Sequence, residues 1–231
     1  MPGRILLISH NPPPLTDRAL SWLQEAGFEI DVRRPFLGDA LPLAPAGFAG
    51  TILYGGPFNA DDASTHPFLR DESRWIDQAL DADLPMLGIC QGAQQIAWRL
   101  GAAVGPMEDG RVEFGFYEIR PLPGAEGFLP EPLVVTQAHY HGFEVPPGAS
   151  RLAESDLFPN QAFRQGARVV GLQFHPEARA AQFRAWQDRY LSHYERPGCQ
   201  TRAEQDALIE AAQAKQAAWF EGVLTDLFDH V

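Results

Sequence analysis

The chain has 231 residues, 45% of them hydrophobic and 21% charged, a balance that excludes a disordered chain and gives enough apolar surface for one large α/β domain carrying a helical appendage. Thirty acidic against eighteen basic residues leave a net charge of −12, which repels phosphate backbones and argues against a nucleic-acid partner. No apolar run approaches the ~20 residues that cross a bilayer, the N-terminus lacks the features of a signal peptide, and two cysteines, Cys90 and Cys199, are too few for a disulfide framework or a cysteine zinc site, so the expected compartment is the cytoplasm.

In chain order, Arg4 to Ser9 is apolar and Leu-rich and predicts a strand, followed by a proline-broken loop and a helix opening at Thr16 with Ala19, Leu20, Leu23 and Ala26 at helical spacing. Phe28 to Arg33 alternates as a strand does. Pro35 to Gly50 reads as a loop before a second hydrophobic strand, Thr51 to Tyr54, which Gly55, Gly56 and Pro57 end abruptly. Phe68 to Leu80 carries an apolar helical stripe, Pro85 to Cys90 is a continuous apolar strand, and Gln91 to Leu100 is helical with Gly101 as its cap. This alternation implies βαβ crossovers and a flavodoxin-like, doubly wound, mostly parallel sheet buried on both faces.

Beyond Gly101 the character changes. Short strand-like pieces at Glu113 to Arg120, Leu133 to Ala138, Gly142 to Val145, Arg151 to Ala153, Gln161 to Arg164 and Arg168 to Phe174 suggest antiparallel strands added at one sheet edge. After Pro176 the chain is helical, with a break at Pro197 and Gly198, and Thr201 with Glu204 has capping-box spacing for a last helix. The expected organisation is a domain over residues 1–196 and a C-terminal helical extension over 197–231, packed on the domain or at an interface.

Chemistry concentrates at Gly88-Ile89-Cys90-Gln91-Gly92, where a buried strand turns into a helix. A nucleophile on such a turn is held up for attack, and flanking glycines let strand and helix approach closely. The helix N-terminus would also favour thiolate over thiol at Cys90. A cysteine nucleophile needs a base and the base an orienting acceptor, and His175-Pro176-Glu177 supplies both at the end of a strand whose alternation would set the two side chains on one side. Gly55-Gly56 can aim a backbone N–H above the turn, making Gly56 N–H and Gln91 N–H the candidate oxyanion donors. Gln94, one helical turn beyond Cys90, can face the same pocket. His139 and His141 invite a metal reading but lack an obvious third ligand, so a structural role is favoured and no metal is expected; Glu113 would tie the added strands to the core. No P-loop and no dinucleotide fingerprint occurs, so no cofactor is expected.

These residues resemble the class I, triad-type glutamine amidotransferases, in particular the stand-alone group similar to the glutaminase part of GMP synthase. The resemblance runs from about Arg4 to Glu177 and rests on Gly55-Gly56-Pro57, Gly88 to Gln94, Glu113-Phe114-Gly115, His141-Gly142-Phe143, Asn160-Gln161-Ala162-Phe163 and Gln173 to Glu177, in family order. It implies attack by Cys90 on the glutamine carboxamide, a γ-glutamyl thioester and release of ammonia, with His175 as base and acid, Glu177 as orienter, and Gln94, Gly142 and Phe143 in glutamine binding. One departure is Gln91, where the family often has Leu or Met. A synthetase or other acceptor enzyme on another chain, or a homo-oligomer, would be the partner. Two further readings stay open: a γ-glutamyl peptidase or hydrolase with the same triad, and a non-catalytic regulator.

Overall fold

Alternate residues of the first strand point to opposite faces, and both faces are buried: Ile5 and Leu7 join one apolar cluster, Leu6 and Ile8 another. That double burial is what makes a parallel sheet with helices on both sides the stable solution. The computed structural model describes residues 3–125 and 127–229. Its first half runs β1 (Arg4–Ile8), α1 (Arg18–Glu25), β2 (Glu29–Arg33), β3 (Phe48–Leu53), α2 (Phe68–Asp81), β4 (Met86–Ile89), α3 (Gln91–Arg99). The second half runs β5 (Val104–Pro106), β6 (Glu113–Pro121), β7 (Leu133–His139), β8 (His141–Phe143), β9 (Ser150–Glu154), β10 (Ala162–Gln165), β11 (Val169–Leu172), α4 (Ala180–Arg189), α5 (Arg202–Phe228).

The main sheet has the order β2-β1-β3-β4-β11-β10-β9-β6-β7. The pairs from β2 through β11 are parallel, and those from β11 through β7 are antiparallel, so a doubly wound sheet is prolonged at one edge as the sequence predicts. On one face Trp75, Ile76 and Ala79 of α2 and Ile96 and Ala97 of α3 cover Leu6, Ile8 and Leu53. On the other face Ala19 and Leu23 of α1 share a cluster with Phe220, Leu224 and Phe228 of α5. The last helix is thus a covering layer of the sheet. Full burial of those three side chains is worth about 2 kcal/mol each. Its start is fixed by the Thr201–Glu204 capping box, in which Thr201 N–H donates to Glu204 Oε2 at 2.7 Å and Glu204 N–H to Thr201 Oγ1 at 3.3 Å.

Several boundaries differ from the sequence reading, each for a local reason. The first helix is capped by Asp17 rather than Thr16, because the Asp17 carboxylate accepts Leu20 N–H at 3.0 Å. β5 escapes the pattern, since it is three residues long and exists through pairing with β8, Val104 opposite Phe143 and Pro106 opposite His141. β11 stops at Leu172 instead of running to Phe174, because Gln173 N–H goes to Gln161 O at 2.8 Å and His175 N–H to Thr136 O at 2.8 Å.

The approach of α3 to β3 depends on Gly92, where a Cβ would overlap the Leu53 carbonyl, whereas a Cβ at Gly105 meets nothing within 4 Å. Gly92→Ala should therefore cost about 3 kcal/mol and Gly105→Ala no more than about 0.5 kcal/mol, read as the fall in urea midpoint at constant m.

Candidate active site

The parallel register of β4 and β11 sets Leu172 beside Ile89, and Cys90 N–H donates to Leu172 O at 2.7 Å. The next residues of both strands therefore leave the sheet together at its carboxyl edge, where open α/β sheets bind ligands. Cys90 has φ 51° and ψ −109°, a left-handed backbone that costs a non-glycine residue on the order of 1–3 kcal/mol. Neighbouring glycines make the turn possible: a Cβ on Gly88 would sit 2.7 Å from Ala93 Cα and N, and Gly92 lies against Leu53 O. The strand-to-helix elbow expected from the sequence is present in the backbone.

His175 and Glu177 lie on a turn beyond β11 rather than on one face of a strand, with Ala178 N–H returning to His175 O at 3.3 Å. The turn still brings them together, His175 Nδ1 donating to Glu177 Oε1 at 2.8 Å, both side chains buried. α1 holds it from behind: Arg18 N–H donates to Glu177 O at 3.1 Å, and the Arg18 guanidinium to Pro176 O and Ala178 O. Burial opposes a charged imidazole, but Glu177 and the Cys90 sulfur, also a hydrogen-bonding partner of the ring, outweigh it and push His175 up to about 10. Nearby Asp17 is pushed up to about 6, chiefly by burial; Tyr54 Oη donates to it at 3.1 Å.

Gly55 sits between His175 and Cys90, since a Cβ there would be 2.6 Å from His175 Cε1 and 3.2 Å from Cys90 Cβ. Gly56 packs against the His10 ring. Sequence reasoning passed over His10 although it stands at the carboxyl end of β1, the same edge as the elbow. His10 Nε2 lies 3.0 Å from both Glu72 carboxylate oxygens and its Nδ1 3.0 Å from Tyr54 O, entirely inside the protein. Gln91 acquires a purpose here: its Oε1 accepts Phe58 N–H at 3.1 Å and its Nε2 lies 3.4 Å from His10 Nε2. A Leu or Met could do neither.

Gln94 Nε2 donates to His141 O at 3.0 Å and to Gln173 Oε1 at 3.2 Å, so this side chain is tied to the wall of the site. Gly142 and Phe143 lie farther off on the β5–β8 ribbon, lining a separate cavity of about 260 Å³ with Val104 and Asn160, and Phe143 packs edge-on to Phe163 at 5.1 Å. Glu113 is fully buried and accepts from His139 Nε2 at 2.9 Å, Ser155 Oγ at 2.5 Å and Gln161 Nε2 at 2.6 Å, joining β6 and β7 to the segment between β9 and β10. His139 Nδ1 faces His141 O at 2.9 Å, so both its ring nitrogens are engaged.

Cys90, His175 and Glu177 line one small cavity of about 40 Å³ together with Gly55, Gly56 and Asn11, roofed by Trp186 and Tyr190. Trp186 meets the His175 ring edge-on at 4.9 Å. These two aromatics come from α4 and the residue that caps its C-terminal end, and helical spacing alone gave no sign that they would face the sheet rim. A larger cavity of about 360 Å³ between β7 and α5, lined by Leu133, Leu208, Ala212 and Lys215, shares no lining residue with the small one.

The His175 proton supplies a test. A folded-state value of about 10 against roughly 6.5 unfolded means the charged ring stabilises the fold below about pH 6.5, a contribution lost as pH rises through 10. Glu177→Gln removes the largest favourable charge and should lower the midpoint of the His175 ring resonances by about 1–3 pH units in an NMR titration; an unmoved midpoint would contradict the electrostatic account.

Residues 18–186 match the family model of glutamine amidotransferase class-I. The chain is 32% identical over 187 residues to the glutamine amidotransferase-like protein YfeJ of Salmonella typhimurium, covering 75% of each. It is 36% identical over 162 residues to the glutamine-hydrolysing GMP synthase of Aeropyrum pernix, covering 68% of this chain and 29% of that enzyme. The chain thus spans less than a third of the GMP synthase. Among solved structures, a glutamine amidotransferase from Thermotoga maritima superposes with a TM-score of 0.87 at 28% identity, covering 98% of both chains. With a family model matching from Arg18 to Trp186 over the elbow and the His175 turn, this chain belongs to the class-I glutamine amidotransferases.

Proposed function

We propose that the chain hydrolyses the side-chain amide of glutamine through a Cys90 thioester, with His175 as proton carrier and Glu177 as its orienter. The observation that carries this reading is the convergence of sulfur, imidazole and carboxylate at one cavity, with His175 Nδ1 held by Glu177 at 2.8 Å and Cys90 as the ring's other partner.

The Cys90 thiolate adds to the carboxamide carbon, and the oxygen that becomes negative is received by the backbone N–H groups of Gly56 and Gln91. Collapse of that intermediate breaks the C–N bond as His175 gives its proton to the departing nitrogen, so ammonia leaves instead of an amide anion. The remaining γ-glutamyl thioester is attacked by water, whose proton passes to His175, and glutamate departs with return of the thiolate. Glu177 holds the ring in one orientation and stabilises the imidazolium form in both halves. Gln94, Gly142 and Phe143 are proposed for glutamine binding, Gln94 in the wall of the site and the other two on the β5–β8 ribbon. GMP synthase couples such an amide-hydrolysing part to a synthetase, and the proposed partner here is likewise an acceptor enzyme on another chain that consumes the ammonia.

Ammonia release from L-glutamine by the purified chain, alone and with candidate acceptor enzymes, tests the reading. Cys90→Ala should lower it by at least about 10⁴-fold. A chain whose Cys90 is readily alkylated but which releases no ammonia under any of these conditions would refute it.

A further inference from the structure

We propose that Gln173 is a further catalytic residue of this site: its side-chain amide, turned toward Cys90 by Gln94, is a hydrogen-bond donor that stabilises the Cys90 thiolate. The proposal rests on Cys90 being the nucleophile. Gln173 is completely buried, and its side chain bridges Cys90 and Gln94, with Nε2 3.8 Å from Cys90 Sγ. Its backbone is fixed at the end of β11 by donation to Gln161 O at 2.8 Å.

The polarity of the bridge follows from a main-chain atom. Gln94 Nε2 donates to His141 O at 3.0 Å, and a carbonyl oxygen can only accept, so the nitrogen end of Gln94 is the end that faces Gln173. The Gln173 atom at 3.2 Å from it must then be the oxygen, Oε1, and the Gln173 NH₂ is left facing sulfur. His141 O also takes His139 Nδ1 at 2.9 Å, which anchors the carbonyl to the Glu113 network of the added strands. Gln94 is thereby a positioning residue for the Gln173 amide.

The chemical consequence is selective. An anionic sulfur is a much better acceptor than a thiol or a thioester sulfur, so the amide favours the thiolate when Cys90 is about to attack and again when water expels it from the acyl-enzyme. A neutral amide does this without setting a second positive charge beside the His175 imidazolium, which would lower the ring's affinity for the proton it must carry.

The test reads thiolate chemistry directly, by the pH dependence of iodoacetamide alkylation at Cys90 in the full chain, located by peptide mass mapping with Cys199 as internal reference. Gln173→Met keeps length and removes the donor; the alkylation midpoint should rise by about 1 pH unit, with kcat for glutamine falling about tenfold and KM staying within about twofold. Gln173→Glu keeps an acceptor for Gln94 and puts like charge against sulfur, so its midpoint should rise further, and it decides the matter alone if the Met variant does not fold. Midpoints unmoved in both variants, with Cys90 still alkylated, would overturn the proposal, as would a lowered unfolding temperature with no change in midpoint. A moved midpoint in a chain that releases no ammonia would refute the glutaminase reading and leave the role of Gln173 standing.

Discussion

Cys90 and His175 stand 85 positions apart, and the parallel pairing of β4 with β11 is what cancels that separation. Val169 to Leu172 lie opposite Met86 to Ile89, four residues against four, and both strands are wholly buried. Register in such a pair is strongly held, because a slip of one residue would turn every side chain to the opposite face. It would also carry the His175 turn about 3.3 Å along the strand, enough to break any contact with sulfur. The neighbours of β11 reinforce the pairing: β10 closes it on the far side, and His175 N–H is held by Thr136 of β7. The antiparallel extension is thus part of the site's support.

Among the described residues, the same side-chain pair, a histidine on a glutamate, occurs three times with different consequences. His10 meets Glu72 at one ring nitrogen and Tyr54 O at the other; His139 meets Glu113 at one and His141 O at the other. Each is closed, and each binds elements together: β1 to β3 and α2 in the first case, β6 to β7 and β8 in the second. His175 has Glu177 on Nδ1 only, and its remaining edge is turned toward Cys90. Burial is common to all three pairs, so burial alone does not mark a reactive histidine. What sets His175 apart is the ring edge left to face Cys90. The interior placement matters as well, because attraction between Glu177 and a charged His175 ring is far stronger there than at a wet surface.

Much of this was legible in the sequence because local rules decided it. The elbow at Cys90 could be read from two glycines flanking a cysteine at the end of an apolar strand, and the start of α5 from Thr201 and Glu204. The grouping of His175 with Glu177 was also legible, although by a turn and not by strand alternation, since the backbone hydrogen bonds that end β11 come from Gln161 and Thr136, neither of them a neighbour in sequence. The long-range features were not legible. Trp186 and Tyr190 close the cavity because α4 is pinned by Phe183 against Phe114 and Phe116 of β6, a contact across about seventy positions that no local period encodes. The use of Gln91 as a tie to Phe58 and His10, and the particular partners of Gln94, depend likewise on distant segments.

Glutamine is the connector this protein uses inside itself. Gln91, Gln94 and Gln95 on α3, Gln137, Gln161 and Gln173 in the sheet region, and Gln187, Gln205 and Gln216 on α4 and α5 are all buried. Leaving such an amide unpaired costs about 1–3 kcal/mol, and each makes at least one internal hydrogen bond: Gln216 Oε1 accepts Thr136 N–H at 2.6 Å, Gln137 Nε2 reaches Gln161 Oε1 at 2.8 Å, Gln95 Nε2 reaches Glu72 at 2.6 Å. An amide offers both a donor and an acceptor without carrying charge. Gln94 and Gln173 form such a link up to the sulfur without adding a charge beside His175. A lysine or glutamate in place of Gln94 or Gln173 would add a field at His175 that burial would leave poorly screened. Neutral connectors around a charged centre keep the proton affinity of His175 under the control of Glu177 and Cys90.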